Sequence, residues 1–593
     1  MSHYGEEEEE EGGRTKEPAV VVCTDSTRYM SKRSYPLWIV IIASLAIVLR
    51  QAVAAHPHSG MGTPPMYGDY EAQRHWMEIT INLPLKDWYR QTTDNDLMYW
   101  GLDYPPLTAY VSYFFGMLAQ KIEPELVTLH ASRGNETPTG KMLMRYSVLV
   151  CDLLLFFPAA YAFLCSFYPV HSTTTPPQPS SSSSKRLLGI RAAAWFFILL
   201  NPAFILIDHG HFQYNCVAHG LILLAIALIL FGGGGGGTRN KGNLYLELAG
   251  ASSFCLALLF KQMSLYFAIG FFSFLLGRSI WHERTWIDSF MHVAALGVTV
   301  IGTFALILFP FITQGTGGFE SVIDVGKRVF PVARGLFEDK VANFWCATNV
   351  IIKWKALFSR DATVLLALMT TVISIFPTIL HMFLRPTPRR FIFGLMGCAL
   401  SFFLFSFQVH EKSILLPLLP IAATFPSHPM LATTATLISN ASMFPLLRRD
   451  LLVLPYAVFQ LSLMTLGLFL SSRAHYDAIA VYDDNDESEA KDATSSLEST
   501  MLLDLICSGS GGKKDKVHWF RVLGFVVSVC SVTTAHALDL FFPKIAKYPD
   551  LNVYWFVILG AAYFLFFWFT LFMCDLVSVF RILFGSKTKR KTE

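Results

Sequence analysis

The chain has 593 residues, of which 53% are hydrophobic and only 15% charged, with 50 Phe, 22 Tyr and 12 Trp. A soluble domain carries about 25% charged residues, and a mean hydropathy of +0.43 leaves too little charge to cover the surface of a water-soluble globule. The net charge of +3 is too weak and too dispersed to point to nucleic acid, so the composition defines an integral membrane protein whose first partner is the lipid bilayer.

The N-terminal tail, residues 1–36, opens on the acidic run Glu6 to Glu11, a solvated segment expected not to be a cleavable signal. Apolar runs of about 15–25 residues then predict about fourteen helical spans. They fall at 37–55, 143–167, 190–206, 214–231, 246–260, 263–277, 289–310, 362–384, 391–407, 413–427, 429–445, 451–470, 519–541 and 553–580. The fold class is therefore an all-α polytopic membrane protein. The least apolar or shortest of these runs are 246–260, 263–277 and 429–445.

Lys and Arg set the orientation. Arg14, Lys16, Lys32 and Arg33 precede the first span and place the N-terminus in the cytosol. Alternation then puts 168–189, 232–245, 278–288, 385–390, 471–518 and the tail 581–593 inside, and each contains basic residues. Arg448-Arg449 is the exception, left outside. The low-complexity tracts Thr173 to Ser184, Gly232 to Gly237 and 482–512 fall in these inside loops and read as insertions without chemistry. The ten cysteines are scattered, mostly in apolar runs and without metal-like spacing, and read as small buried hydrophobes.

The other side of the membrane carries the polar chemistry. Loop 56–142 contains Gly68-Asp69-Tyr70-Glu71-Ala72-Gln73-Arg74-His75-Trp76-Met77-Glu78 and Trp100-Gly101-Leu102-Asp103-Tyr104-Pro105-Pro106. Asp208-His209-Gly210-His211-Phe212-Gln213-Tyr214-Asn215, Phe260-Lys261-Gln262, Arg334 to Lys340 with Glu338, and Val409-His410-Glu411-Lys412 follow on the same face. One such ionisable group at a span end, Arg50 for instance, is explained by snorkelling. Clusters from this many segments on one face predict an active site.

Asp208, His209 and His211 lack the i, i+4 spacing of a helical zinc motif, and no phosphate loop or serine-esterase elbow occurs. No metal or other cofactor is implied. A carboxylate beside aromatics and arginine, as at Asp69, suits a general base acting on a sugar hydroxyl. Cations near His410 and Arg334 suit a departing lipid phosphate. Trp76, Trp88, Trp100 and Tyr104 are candidates for stacking on sugar rings. A transporter would place polar groups at mid-span in repeated halves, and no repeat is evident.

These motifs, in their order and spacing over about residues 37–580, resemble the endoplasmic-reticulum glucosyltransferases of N-glycan precursor assembly. The stretch Glu71 to Glu78 looks more like the branch that adds the first glucose than the branch that adds the second. The resemblance implies the GT-C architecture, with a large lumenal first loop, in keeping with the cytosolic termini that the charges and the even span count predict. It implies dolichyl-phosphate-glucose as donor and a dolichyl-pyrophosphate oligosaccharide as acceptor. It further implies Asp69 as the base of a single inverting displacement, with Asp103 as the weaker alternative unless that carboxylate caps the next helix. Asp208, His209, His211, Lys261, Arg334, Glu338, His410, Glu411 and Lys412 become substrate-binding residues, Lys412 and His410 foremost at the phosphate. Lys589 and Lys591 near the C-terminus resemble a dilysine retrieval signal of that membrane.

Overall fold

The computed structural model describes residues 34–168, 181–233, 243–281, 285–314, 318–330, 340–472, 513–542 and 550–584. Among them every regular element is helical. The acidic tail, the basic C-terminal tail, most of the low-complexity tracts, and Arg334 with Glu338 lie outside the described residues.

Among the described residues, eleven helices are long and apolar enough to cross a membrane. Leu187–Phe212 and Asn215–Gly232 form the centre, 89% and 83% buried over their most apolar windows, whereas Trp286–Gln314 is 17% buried and peripheral. The other three expected spans are shorter helices: Leu244–Phe260, Leu415–Ala423 and Pro429–Ser442. At 1.5 Å per residue the last two are roughly 14 and 21 Å long, short of a hydrocarbon core of about 30 Å. Pro420 lies inside the first of them and Pro429 opens the second. Every residue of Leu415–Ala423 is buried, so protein rather than lipid surrounds it.

Two central helices widen by one residue per turn, at Asp152–Phe156 and Leu206–Phe212. Such bulges redirect side chains and recur at functional positions. They bring Asp152 and His209 together, 2.6 Å apart, with Arg50 donating to Asp152 over 2.8 Å and to the Leu199 carbonyl over 2.8 Å. Arg50 therefore does not snorkel: it is 1% exposed and closes a buried ion pair.

Loop 56–142 is a small folded unit. Helix Asp69–Asn82 is buried along most of its length, and Arg74 is its centre. The guanidinium donates to both Glu71 oxygens at 2.7 Å, to Glu78 at 2.8 Å, to the Leu126 carbonyl at 2.9 Å and to Ser132 at 2.6 Å. Tyr99 donates to Glu71 over 2.8 Å and the His130 amide to Glu78 over 2.8 Å. The charged part of the 71–78 motif is thus the polar core of the loop. Helix Pro106–Ile122 packs its small and polar residues Thr108, Ala109, Ser112, Gly116 and Ala119 inward. It exposes Tyr113, Phe114, Leu118 and Ile122, the reverse of a water-facing helix.

Candidate active site

Asp69 is the first residue of its helix, and the turn before it is set by glycine. A Cβ on Gly68 would lie 2.5 Å from Ser59 Oγ, and Gly60 has φ of 69°, so both positions exclude ordinary side chains. The close approach lets the Asp69 amide donate to Ser59 Oγ over 3.2 Å while the Ser59 amide donates to the His211 carbonyl over 3.0 Å. Ser59 so fixes Asp69 to the widened turn carrying the Asp-His-Gly-His motif.

That turn ends at Phe212, whose φ of 93° is costly for a bulky residue. Phe212 is fully buried, edge-on to Tyr70 at 5.1 Å and beneath the Arg145 guanidinium at 5.5 Å, which holds the conformation. As a result His211 and Gln213, two residues apart, both face Asp69. Gln213 donates to Asp69 Oδ2 over 2.5 Å, and His211 Nε2 lies 3.1 Å from the same oxygen. Lys412 Nζ donates to it over 2.6 Å. Among the described residues, all side-chain hydrogen bonds of Asp69 end on Oδ2, which leaves Oδ1 open. Burial raises the Asp69 carboxyl, but Lys412 and His211 outweigh it and hold the group well below the usual carboxylate range.

Lys261, between two spans, donates to Gln213 Oε1 over 2.8 Å and to Asn215 Oδ1, and lies 5.2 Å from the Tyr104 ring. Burial and the neighbouring Lys412 lower its ammonium to about 8, against the pull of Asp208, Asp69 and Asp103. The site therefore joins one open carboxylate oxygen to two partly desolvated cations.

Of the expected residues, the structure brings together Asp69, His211, Lys261 and Lys412. His410 and Glu411 open the short turn that carries Lys412. Asp103 neighbours Lys261 electrostatically, and its backbone carbonyl accepts from Gln262 over 3.2 Å. It does not cap the next helix, which starts from Pro105 without a side-chain cap. Asp208 faces away from Asp69. It accepts from the Cys216 amide over 2.7 Å and from Asn215 Nδ2 over 2.7 Å, and so supports the partner of Lys261. His209 belongs to the Arg50–Asp152 cluster. Asp208, His209 and His211 thus point to three different places, and among the described residues no group of three or more His, Cys, Asp or Glu forms a candidate metal site. Trp76 and Trp88, 3% and 5% exposed, are core residues of the loop rather than a sugar platform.

Two residues of the site, Gln213 and Asp450, escape a reading of the sequence. Gln213 lies inside a motif that stands out for its histidines. Asp450 follows Arg448-Arg449, the one basic pair that alternation leaves on the outer face. The residue is 2% exposed, and its carboxylate pairs with His211 Nδ1.

A helical membrane bundle gathering a carboxylate and cations from distant segments at one end defines a polytopic membrane enzyme. The model of the ALG6, ALG8 glycosyltransferase family matches residues 43–571, and the chain belongs to that family. It is similar to the dolichyl pyrophosphate Man9GlcNAc2 alpha-1,3-glucosyltransferase of Gallus gallus, 42% identical over 72% of this chain and 77% of that one. A protein of Arabidopsis thaliana described as probably having that activity is 43% identical over 70% and 72%. The Saccharomyces cerevisiae enzyme of that name is 41% identical over 72% and 74%.

Proposed function

We propose that the chain is the dolichyl-phosphate-glucose-dependent α-1,3-glucosyltransferase that adds the first glucose to Man9GlcNAc2-PP-dolichol. The carrying observation is Asp69, with Oδ2 pinned by Lys412, His211 and Gln213 and Oδ1 open. The relatives' names, which specify the nine-mannose acceptor, favour this over addition of the second glucose.

In this reading Oδ1 takes the proton of a mannose 3-hydroxyl as that oxygen attacks the anomeric carbon of the donor. The bond from that carbon to the phosphate oxygen breaks, and dolichyl phosphate leaves with the electron pair. Attack from the opposite face turns a β-linked donor into an α-linked product in one displacement. Lys412 and Lys261 neutralise the phosphate. Because Lys412 rests on the base, an arriving phosphate that draws it away restores basicity to Asp69 as the donor binds. His410 and Glu411, on the turn carrying Lys412, and Arg334 with Glu338 complete the donor site.

The proposed setting is the endoplasmic-reticulum membrane, with the site lumenal, both termini cytosolic and GT-C architecture with fourteen crossings. The two short helices support that count. His428, between them, lies 5.5 Å from the Phe393 ring near the start of Pro388–Phe405. Asp450, after the second, reaches His211 beside Asp69, so the chain traverses the bundle between 428 and 450.

The test is purified full-length protein with dolichyl-phosphate-glucose and each lipid-linked acceptor, read by product mass. One hexose added to the nine-mannose acceptor, and none with Asp69→Asn, is expected; transfer only to the already glucosylated acceptor would assign the second step.

A further inference from the structure

Asp450 lies in a tight turn after Pro429–Ser442 and the short helix Phe444–Arg449, far in sequence from every motif of the site. Three features dock that turn on the Asp-His-Gly-His segment. Leu451 takes φ of 60°, reversing the chain. Leu452, fully buried, packs on Gly210, where a Cβ would meet its side chain at 2.9 Å. Arg448 pairs with Asp539 on Arg521–Phe541 and anchors the turn from its other side. The outcome is a carboxylate 1% exposed against an imidazole 1% exposed, with His211 Nε2 on the far edge of the ring 3.1 Å from Asp69 Oδ2.

We propose that Asp450 is a positioning residue of the transferase, acting on Asp69 through His211. A carboxylate facing Nδ1 requires a proton there, which fixes the ring's orientation and leaves Nε2 as the atom presented to the base. Nε2 then lies 3.1 Å from Asp69 Oδ2, to which it donates when protonated, and 3.1 Å from Lys412 Nζ, from which it accepts when it carries no proton. When Lys412 moves to a phosphate, the ring takes up a proton at Nε2 and donates it to Oδ2 as an imidazolium, so Asp69 keeps its aim and presents Oδ1 to the acceptor. Asp450 resembles the orienting carboxylate of a hydrolase triad in its geometry, with one difference: here the imidazole steadies a carboxylate base instead of serving as the base. Of the other charged groups, Arg145, which donates to the Gly210 carbonyl over 2.9 Å, acts on Asp450, and Lys261 reaches the site through Gln213. The inference rests on Asp69 being the base.

The test is a double-mutant cycle on the full-length enzyme in lipid nanodiscs, with kcat and donor KM measured for wild type, Asp450→Asn, His211→Gln and the pair. Asp450→Asn is expected to lower kcat on the order of 10-fold or more, short of the ~10⁴-fold lost when a triad's own base is misoriented. Donor KM is expected to stay within about 3-fold, because the phosphate ligands are untouched, and the Asp450→Asn effect should vanish in the His211→Gln background. Wild-type kcat in folded Asp450→Asn, or effects that simply multiply in the double variant, would overturn the proposal. Should Asp450→Asn fail to fold, Asp450→Glu takes its place in the same cycle, and wild-type kcat or simple multiplication would overturn the proposal there too. Asp69→Asn, run alongside, separates the failures: if it retains turnover the base assignment falls, and if it is inactive while Asp450→Asn is normal only this inference falls.

Discussion

Lys412 Nζ stands 2.6 Å from Asp69 Oδ2, so the cation proposed to receive an anionic donor is also the group that suppresses the basicity of the proposed base. Lys412→Ala is therefore expected to act on two terms at once, raising donor KM and lowering kcat by about 10²-fold, the scale of losing one preorganised donor to a developing anion. Lys412→Arg should recover part of the donor affinity and less of kcat, since a planar fork cannot occupy the same point between Asp69 and His211. Steady-state rates across donor concentrations decide it, and unchanged donor KM in Lys412→Ala would remove Lys412 from the phosphate.

The charges give a pH signature. Asp69 has a depressed carboxyl, so its ionised form is present above the ordinary value near 3.8 and is lost only as pH falls through the lower folded value. Removing Lys412 weakens that depression, and the acid limb of kcat/KM in Lys412→Gln should lie at higher pH than in the wild type. Lys261, lowered to about 8, is charged below that pH and neutral above it. Donor KM should accordingly rise as pH passes about 8, and Lys261→Arg should flatten the rise. Profiles that superimpose for the wild type and both variants would refute this assignment.

Arg74→Met tests the loop's core. The substitution leaves Glu71 and Glu78 buried without their cation, and breaking a buried pair from one side costs about 3–5 kcal/mol. Arg74→Lys should fail as well, because an ammonium cannot reproduce the five contacts of the fork. The expected result is loss of protein yield and faster proteolysis within 56–142. Normal yield with altered kinetics alone would instead make Arg74 a substrate ligand.

Sidedness has its own experiment. In sealed microsomes a tag after Glu593 should be cut by added protease, and one inserted in 311–361 should be protected. At Asn135, Thr137 accepts from the Gly140 amide as a helix cap and Pro138 follows, so this sequon, on the side proposed to be lumenal, should remain unglycosylated and insensitive to glycosidase. Protection of the C-terminal tag would reverse the proposed orientation.

Much of the molecule is legible in its sequence because bilayers impose simple rules. Hydropathy locates the eleven qualifying helices and the three shorter ones. The helices at 415–423 and 429–442 fall short because their apolar runs merge with buried flanking turns, and hydropathy does not distinguish burial in protein from burial in lipid. In the site, Asp69, Lys261 and Lys412 stand out as charges at span ends. His209 and Asp208 look equivalent to His211 in sequence, because the widened turn that sends them in different directions leaves no mark on spacing. Asp450 escapes notice because its partner is 239 residues away, although the two arginines before it break the charge rule at that point.

The separation of Asp69 and Lys412 by 343 residues has a consequence for biogenesis. At about 5–20 residues per second, synthesis delivers the lysine roughly 20–70 s after the aspartate. Meanwhile the Arg74 network, drawn from residues 71–132, closes within loop 56–142 and needs nothing downstream. The nascent chain thus carries a finished scaffold around a proposed catalytic centre that is still unassembled. A chain terminated before Lys412 would keep every residue of the Arg74 network and still lack both the cation and the second carboxylate that meet around Asp69 and His211.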